Sequence, residues 1–327
     1  MVDQTHIPHQ KPAKTRDGMR GLAGVAIGVA VLCALPMIAV ALAALGGGTE
    51  TVSHLWDTVL GRYAATTLVL ALLVGIGTFA IGVGAAWLVT MTKFPGVRLF
   101  EIALVLPLAF PAYVLAYAYT SVLDHAGPVQ SALRQVTGVG PRDYWFPEIR
   151  SLGGAAVMLI LVLYPYVYLL ARAAFLQQSA TTFLAARALG ATAWSAFFKI
   201  SLPMARPAIA GGVLLAVMET IADFGTVAYF GVQTFATGIY TSWFSLGDRT
   251  GAAQLALCLL SFALLLAMLE RAQRGRAKYH DPSRRQQRLD PAPLTGGRAA
   301  FAMMLCGVPV LFGAFLPIGV LLSMGLE

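Results

Sequence analysis

Residues 179–207 read SATTFLAARALGATAWSAFFKISLPMARP, a short Ala-rich segment set between two much longer apolar stretches. Ala185, Ala186, Arg187, Ala188 and Leu189 are strong helix formers, and Gly190 supplies the left-handed stop that commonly closes a helix. Thr192 is placed to cap a second helix, along which Trp194, Phe197, Phe198 and Ile200 gather on roughly one face until Pro203 ends the run. The spacing therefore predicts a helix, a glycine turn and a second amphipathic helix held at a membrane surface.

The flanks decide that the surface belongs to a membrane. With 58% hydrophobic residues, 12% charged residues and a mean hydropathy of +0.73, a chain of 327 residues is no ordinary water-soluble domain. The predicted fold class is an all-α polytopic membrane protein with about seven transmembrane helices. The expected spans are 21–46, 63–92, 102–123, 151–171, 206–231, 252–269 and 299–326. The first is read as a retained helix rather than a signal peptide, because its uncharged run is too long for a cleaved leader and further spans follow.

Charge orients the bundle. With one span between Arg206 and about residue 231, and the N-terminus inside, eighteen of the 23 basic residues fall on the cytoplasmic side. A second span there would reverse the parity and put the basic linker outside, so Gly231 to Gly247 is read as an outer-face segment able to dip into the membrane. The net charge of +8 then reflects topology, with no aromatic-interleaved patch to suggest nucleic acid. Cys33, Cys258 and Cys306 lack paired spacing and read as small buried hydrophobes.

Domain organisation follows: a cytoplasmic tail over 1–20, a first helix over 21–46, a main domain over 60–275 and a basic cytoplasmic linker over 276–298 on an anionic leaflet. A last helix over 299–327 completes it. The outer loop from Asp124 to Arg150 holds a predicted helix over 129–137; it reads equally as a partner-docking surface or a plain structural loop.

Chemistry concentrates in the fifth span. Glu219 and Asp223 are the acids well inside a predicted span, and their spacing puts them on one helix face. Ionisable groups at membrane depth mark pathways, although hydrogen bonding to a neighbouring helix is the competing role. Pro107 and Pro111 break the third span just before Tyr113, Tyr117 and Tyr119, which frees carbonyls near a cavity or makes an ordinary kink. No metal site is firm; Glu219 and Asp223 are candidates for transient cation contacts.

Leu184-Ala185-Ala186, then Gly190, Ile200 and Leu202-Pro203, in that register, resemble the EAA loop of permease subunits of ABC importers, with Leu184 where the family usually has Glu. The stretches 218–231, 235–240 and 106–117 are similar to the ferric-iron permease subfamily, and the likeness spans roughly 60–275. It implies that Leu184, Ala185, Ala186, Arg187, Gly190, Phe197, Ile200, Leu202 and Pro203 couple the chain to a separate ATPase dimer carrying ATP and Mg, with no cofactor on this chain. An external or periplasmic solute-binding protein, membrane lipid and a second permease half are the other implied partners. Tyr113, Tyr117, Tyr229, Glu219 and Asp223 become pathway candidates for ferric iron, with thiamine, a polyamine, a phosphonate or an oxyanion as alternatives. Family members typically fuse two halves, so 299–327 is expected to open a truncated second half, or else the chain is a natural short subunit that pairs with a copy or a sister.

Two rival classes fit less well. An ion-coupled secondary transporter has no need of the inner helix-glycine-helix. An intramembrane enzyme needs a nucleophile or metal constellation, and all five histidines lie outside the predicted spans. The sequence also lacks a Gly-rich phosphate loop ending in Lys-Ser/Thr, so ATP hydrolysis falls to a partner.

Overall fold

The computed structural model describes residues 15–46, 59–141, 143–178, 188–190, 192–274 and 291–326. Helices α1 (Thr15–Leu45), α2 (Gly61–Met91), α3 (Val97–Ala103), α4 (Ala112–Leu123), α5 (Pro128–Thr137) and α6 (Leu152–Gln177) make the first part. Helices α7 (Ala193–Ala196), α8 (Leu202–Ala222), α9 (Gly225–Tyr229), α10 (Phe235–Tyr240), α11 (Arg249–Arg274), α12 (Gly297–Val310) and α13 (Leu316–Leu326) make the second. Among the described residues six helical runs are long and apolar enough to cross a membrane, and a seventh is a broken pair, Val97–Ala109 and Ala112–Thr137, bent by 91°. The protein is thus all-helical and polytopic. Its one sheet among the described residues joins β1 (Thr92–Lys93) to β2 (Ala292–Pro293) in parallel.

Helix α6 is the hub. Ser151 caps it by accepting the Gly154 N–H at 3.1 Å, and Tyr164, Tyr168, Met158 and Leu159 along it are fully buried. Helices α2 and α8 press on it from two sides, and glycine sets the approach. A Cβ on Gly82 would lie 2.7 Å from Val167 Cβ and 2.9 Å from the Tyr164 carbonyl, and one on Gly212 would lie 2.8 Å from Val167 Cα. Because lipid tails are as apolar as the side chains they would displace, such close backbone contact supplies much of the attraction between spans. At the other end of the hub Arg172 pairs with Glu101 at 2.9 Å, and the Tyr168 hydroxyl donates to the Glu101 carbonyl at 3.2 Å, tying α3 to α6.

Three expectations are corrected. First, Pro203 does not end the inner-face helix. A continuous helix runs Trp194–Ala222, with a π-helical stretch at Phe197–Ser201 just ahead of the proline. Proline removes an N–H and crowds the preceding turn; the wider π turn, closed by Leu202 N–H to the Phe197 carbonyl, absorbs both, so the second surface helix is simply the start of the fifth span. Second, that span stops at Ala222 rather than near 231: Asp223 turns extended at ψ 123°, and short α9 follows. Third, Cys33 is exposed on α1, while Cys258 is half-buried and Cys306 buried. Helix α1 lies at the periphery, running beside α11, where Gln254 donates to the Ala44 carbonyl at 3.1 Å.

The outer loop does carry a helix at Pro128–Thr137, closed by Gly138 at φ 68°. Segment 231–247 folds as α10 continued by a π turn at Thr241–Ser245, and rests against α2, where Phe235 N–H donates to Thr67 Oγ1 at 3.2 Å. Helices α12 and α13 are built into the same core as the rest. Ala302, Cys306, Val310 and Ala314 are buried, and the Tyr119 hydroxyl donates to the Phe312 carbonyl at 2.6 Å across the π turn Leu311–Phe315.

Candidate functional site

The two prolines of the third span do what their chemistry demands. Leu106–Ala109 tightens into a 3₁₀ turn, Phe110 goes extended at φ −102° and ψ 132°, and Pro111 opens α4 from ψ 136°. The fifth span breaks at Asp223 beside it. Between the two breaks lies a cavity of about 330 Å³, walled by Phe110, Pro111, Tyr113, Tyr166, Glu219 and Asp223 among others. Among the described residues no Lys or Arg lines it.

The two acids sit there in different states. Glu219 is exposed and makes no hydrogen bond or ion pair with another described residue. Asp223 is spent locally: Oδ1 accepts the N–H groups of Thr226 and Val227 at 3.0 and 3.2 Å, and Oδ2 accepts the Thr226 hydroxyl at 3.1 Å. It closes α8 as its C-cap and, from just ahead of Phe224, holds the first N–H groups of α9, and both carboxylates line the same cavity wall.

The tyrosines divide as well. Tyr113 lines the cavity and covers Gly225, where an added Cβ would lie 3.1 Å from the Tyr113 Cβ. Tyr117 and Tyr229 do not line it; their rings pack edge to face at 6.2 Å, and the Arg150 guanidinium stands 5.6 Å from the Tyr229 ring while pairing with Asp124 at 3.3 Å. Sequence reasoning missed Tyr166 and Arg150. A tyrosine following Pro165 inside an apolar span was the available signal for the first. Nothing local marks Arg150, whose role comes from loop 124–150 folding back on α9.

At the other end, Leu184, Ala185, Ala186 and Arg187 lie outside the described residues. Gly190 has φ +88° with open space where a Cβ would sit, and Thr192 caps α7 by accepting the Ser195 N–H at 3.1 Å. The aromatic residues after it cluster, Trp194 lying 6.2 Å from Phe197 and Phe197 4.8 Å from Phe198, but they differ in burial. Phe197 is buried, 4.5 Å from the Trp87 ring and 6.3 Å from Phe175, whereas Trp194 and Phe198 stack at 5.9 Å and stay exposed. Phe197 therefore anchors the element to α2 and α6. Ile200 and Leu202 are half-buried, and Pro203 stands at the start of α8. Exposed Leu189, Trp194 and Phe198 form the outward apolar surface.

Comparison with known proteins names this arrangement. The chain is 28% identical over 220 residues to the molybdenum transport system permease protein ModB of Escherichia coli K12, covering 65% of this chain and 90% of that protein. It is 26% identical over 251 residues to the Fe(3+)-transport system permease protein FbpB 2 of Haemophilus influenzae, covering 76% of this chain but only 45% of that protein. It is also 26% identical over 286 residues to the putative 2-aminoethylphosphonate transport system permease protein PhnU of Salmonella choleraesuis, covering 83% of this chain and 97% of that one. A chain in the crystal structure of a bacterial alginate ABC transporter, in complex with an alginate pentasaccharide-bound periplasmic protein, has the same fold, with a TM-score of 0.65 at 17% identity over 81% of this chain and 98% of that chain. Residues 79–279, more than half of the chain, match the family model for the binding-protein-dependent transport system inner membrane component, and the chain belongs to that family.

Proposed function

We propose that this chain is one permease half of an ATP-driven importer for a hard cation, ferric iron in the first instance. The observation that carries the reading is the cavity between two helix breaks: an exposed Glu219 carboxylate with Tyr113 and Tyr166 beside it and, among the described residues, no basic side chain on the wall. Oxygen ligands of that kind suit a hard cation, and the carboxylate among them repels an anion. Glu219 is the group for transient contact with the passing ion, and Asp223, held by α9, adds negative potential without leaving its cap. Tyr117 and Tyr229, with Arg150 over one ring, form the approach from the side of loop 124–150. A solute-binding protein delivers the cargo at that side, and the N-terminus is cytoplasmic.

Residues 184–203 engage a separate ATPase dimer, which carries ATP and Mg; this chain binds no cofactor and catalyses no reaction. Gly190 lets the described end of the loop turn, and Phe197 passes its movement to α2 and α6. Because the same helix continues into α8, displacement at Trp194 reaches Glu219 along one rod of helix. A second permease half, fused, sister or identical, completes the path. An oxyanion cargo is the second reading, favoured by the molybdenum and phosphonate relatives, of which the chain covers 90% and 97%.

Uptake into vesicles holding the complete transporter, supplied in turn with ferric iron, molybdate and 2-aminoethylphosphonate, separates these. Ferric uptake that needs ATP and falls at least about tenfold in Glu219→Gln, the loss of about 1.4 kcal/mol of ion contact, is the expected result. Molybdate uptake indifferent to that change overturns the cation reading and leaves the permease standing. Uptake that follows a proton gradient without ATP overturns both.

A further inference from the structure

The groove between α2 and α12 is a cavity in the described bundle that the translocation reading leaves unused. Two hollows of about 590 and 400 Å³ lie next to each other, with Phe301 and Leu305 in the walls of both. They extend from Thr92, just past the end of α2, through Gly84 to Ala80 on that helix, and on α12 from Arg298 to Pro309. That is roughly 18 Å of α2 at the helical rise, close to one leaflet's share of a hydrocarbon core about 30 Å thick. Gly84 makes the floor: a Cβ there would come no nearer than 3.7 Å to Leu305, so the missing side chain leaves a trough.

The two ends differ in chemistry. The deep end is walled by Ala80, Ile81, Val308 and Pro309, with nothing polar. The mouth carries Arg298, exposed and without an ion pair or hydrogen bond to another described residue, and its walls also include Trp87 and Trp194. Exposed Lys93 in β1, Arg98 in the first turn of α3 and Lys199 on the π turn are further cations on these elements. A guanidinium at the mouth of an apolar trough whose walls include two indoles is the pattern that suits a lipid headgroup above its chain.

We infer that this groove holds an anionic glycerophospholipid, its phosphate at Arg298 and one acyl chain lying over Gly84 toward Pro309. Trp194 and Phe197 of the inner-face element form one wall of the mouth, so the seated lipid buttresses that element against α2. The inference stands apart from any choice of cargo.

Tryptophan quenching tests it on the full chain in phosphatidylcholine vesicles. Brominated-chain phosphatidylglycerol is titrated against brominated-chain phosphatidylcholine, and the Trp194→Phe protein identifies the contribution from the mouth. The expected result is saturable quenching with about a fivefold preference for phosphatidylglycerol, the scale of one cation at a membrane surface. Arg298→Gln abolishes the preference, and Gly84→Leu, which fills the trough, removes the saturable component. Equal curves for the two lipids in the unaltered protein overturn the inference, and need no variant to fold. So does a preference untouched by Arg298→Gln. Absence of quenching by either lipid means that a protein segment covers the groove, and overturns it too.

Discussion

Asp223 and Glu219 show what a residue's neighbours do to its meaning. In sequence they are two buried-span acids one turn apart; in space one is a free carboxylate and the other a cap with three hydrogen bonds. Asp223→Asn keeps the Oδ1 acceptor and is expected to leave thermal unfolding in detergent nearly unchanged, while Asp223→Ala loses the cap and about 1 kcal/mol. Equal behaviour of the two variants would remove the capping role. Gly190 gives a second residue-scale test. With φ +88° and nothing within 4 Å of a Cβ, Gly190→Val meets backbone strain of about 1 to 2 kcal/mol and no clash. The expected outcome is normal insertion with ATP hydrolysis no longer driving uptake; unimpaired uptake would deny the turn its place in coupling.

Among elements, the contrast between glycines that touch backbone and glycines that touch side chains is the most exact consequence of the packing. Gly212 on α8 faces Val167 Cα at 2.8 Å from its would-be Cβ, while Gly75 on α2 faces the Val217 and Val213 methyls at 3.3 and 3.6 Å. Backbone cannot step aside as a methyl can. Gly212→Ala is therefore expected to destabilise by about 1 to 3 kcal/mol, and Gly75→Ala by no more than about 0.5 kcal/mol, read from thermal unfolding of the two proteins side by side. The fifth span teaches a related lesson. Proline at 203 reads as a stop, yet the π turn Phe197–Ser201 lets the helix pass, so the inner-face element and the span become one lever.

For the whole molecule, the position of the last helices carries a prediction. Cys306, Val310 and Ala314 are buried, β2 pairs with β1, and Tyr119 holds the Phe312 carbonyl. Cleavage at a protease site engineered within 276–290 is expected to leave residues 297–326 bound to the body through detergent extraction; a fragment that washes away would mean this packing contributes little. The sequence alone determined the membrane class, the seven apolar segments, the proline break of the third span and the glycine turn at 190. Each of these depends on composition or on a residue's own backbone chemistry, which at these positions the neighbours leave in force, unlike at Pro203. Tertiary structure alone decided which acid stays free, that Tyr117 and Tyr229 face Arg150 rather than the cavity, and that Phe197 anchors while Trp194 and Phe198 stay outside. The reason is physical: on spans apolar all round, hydrophobic periodicity no longer tells one face from another, and only close contact between helices selects the side that faces in.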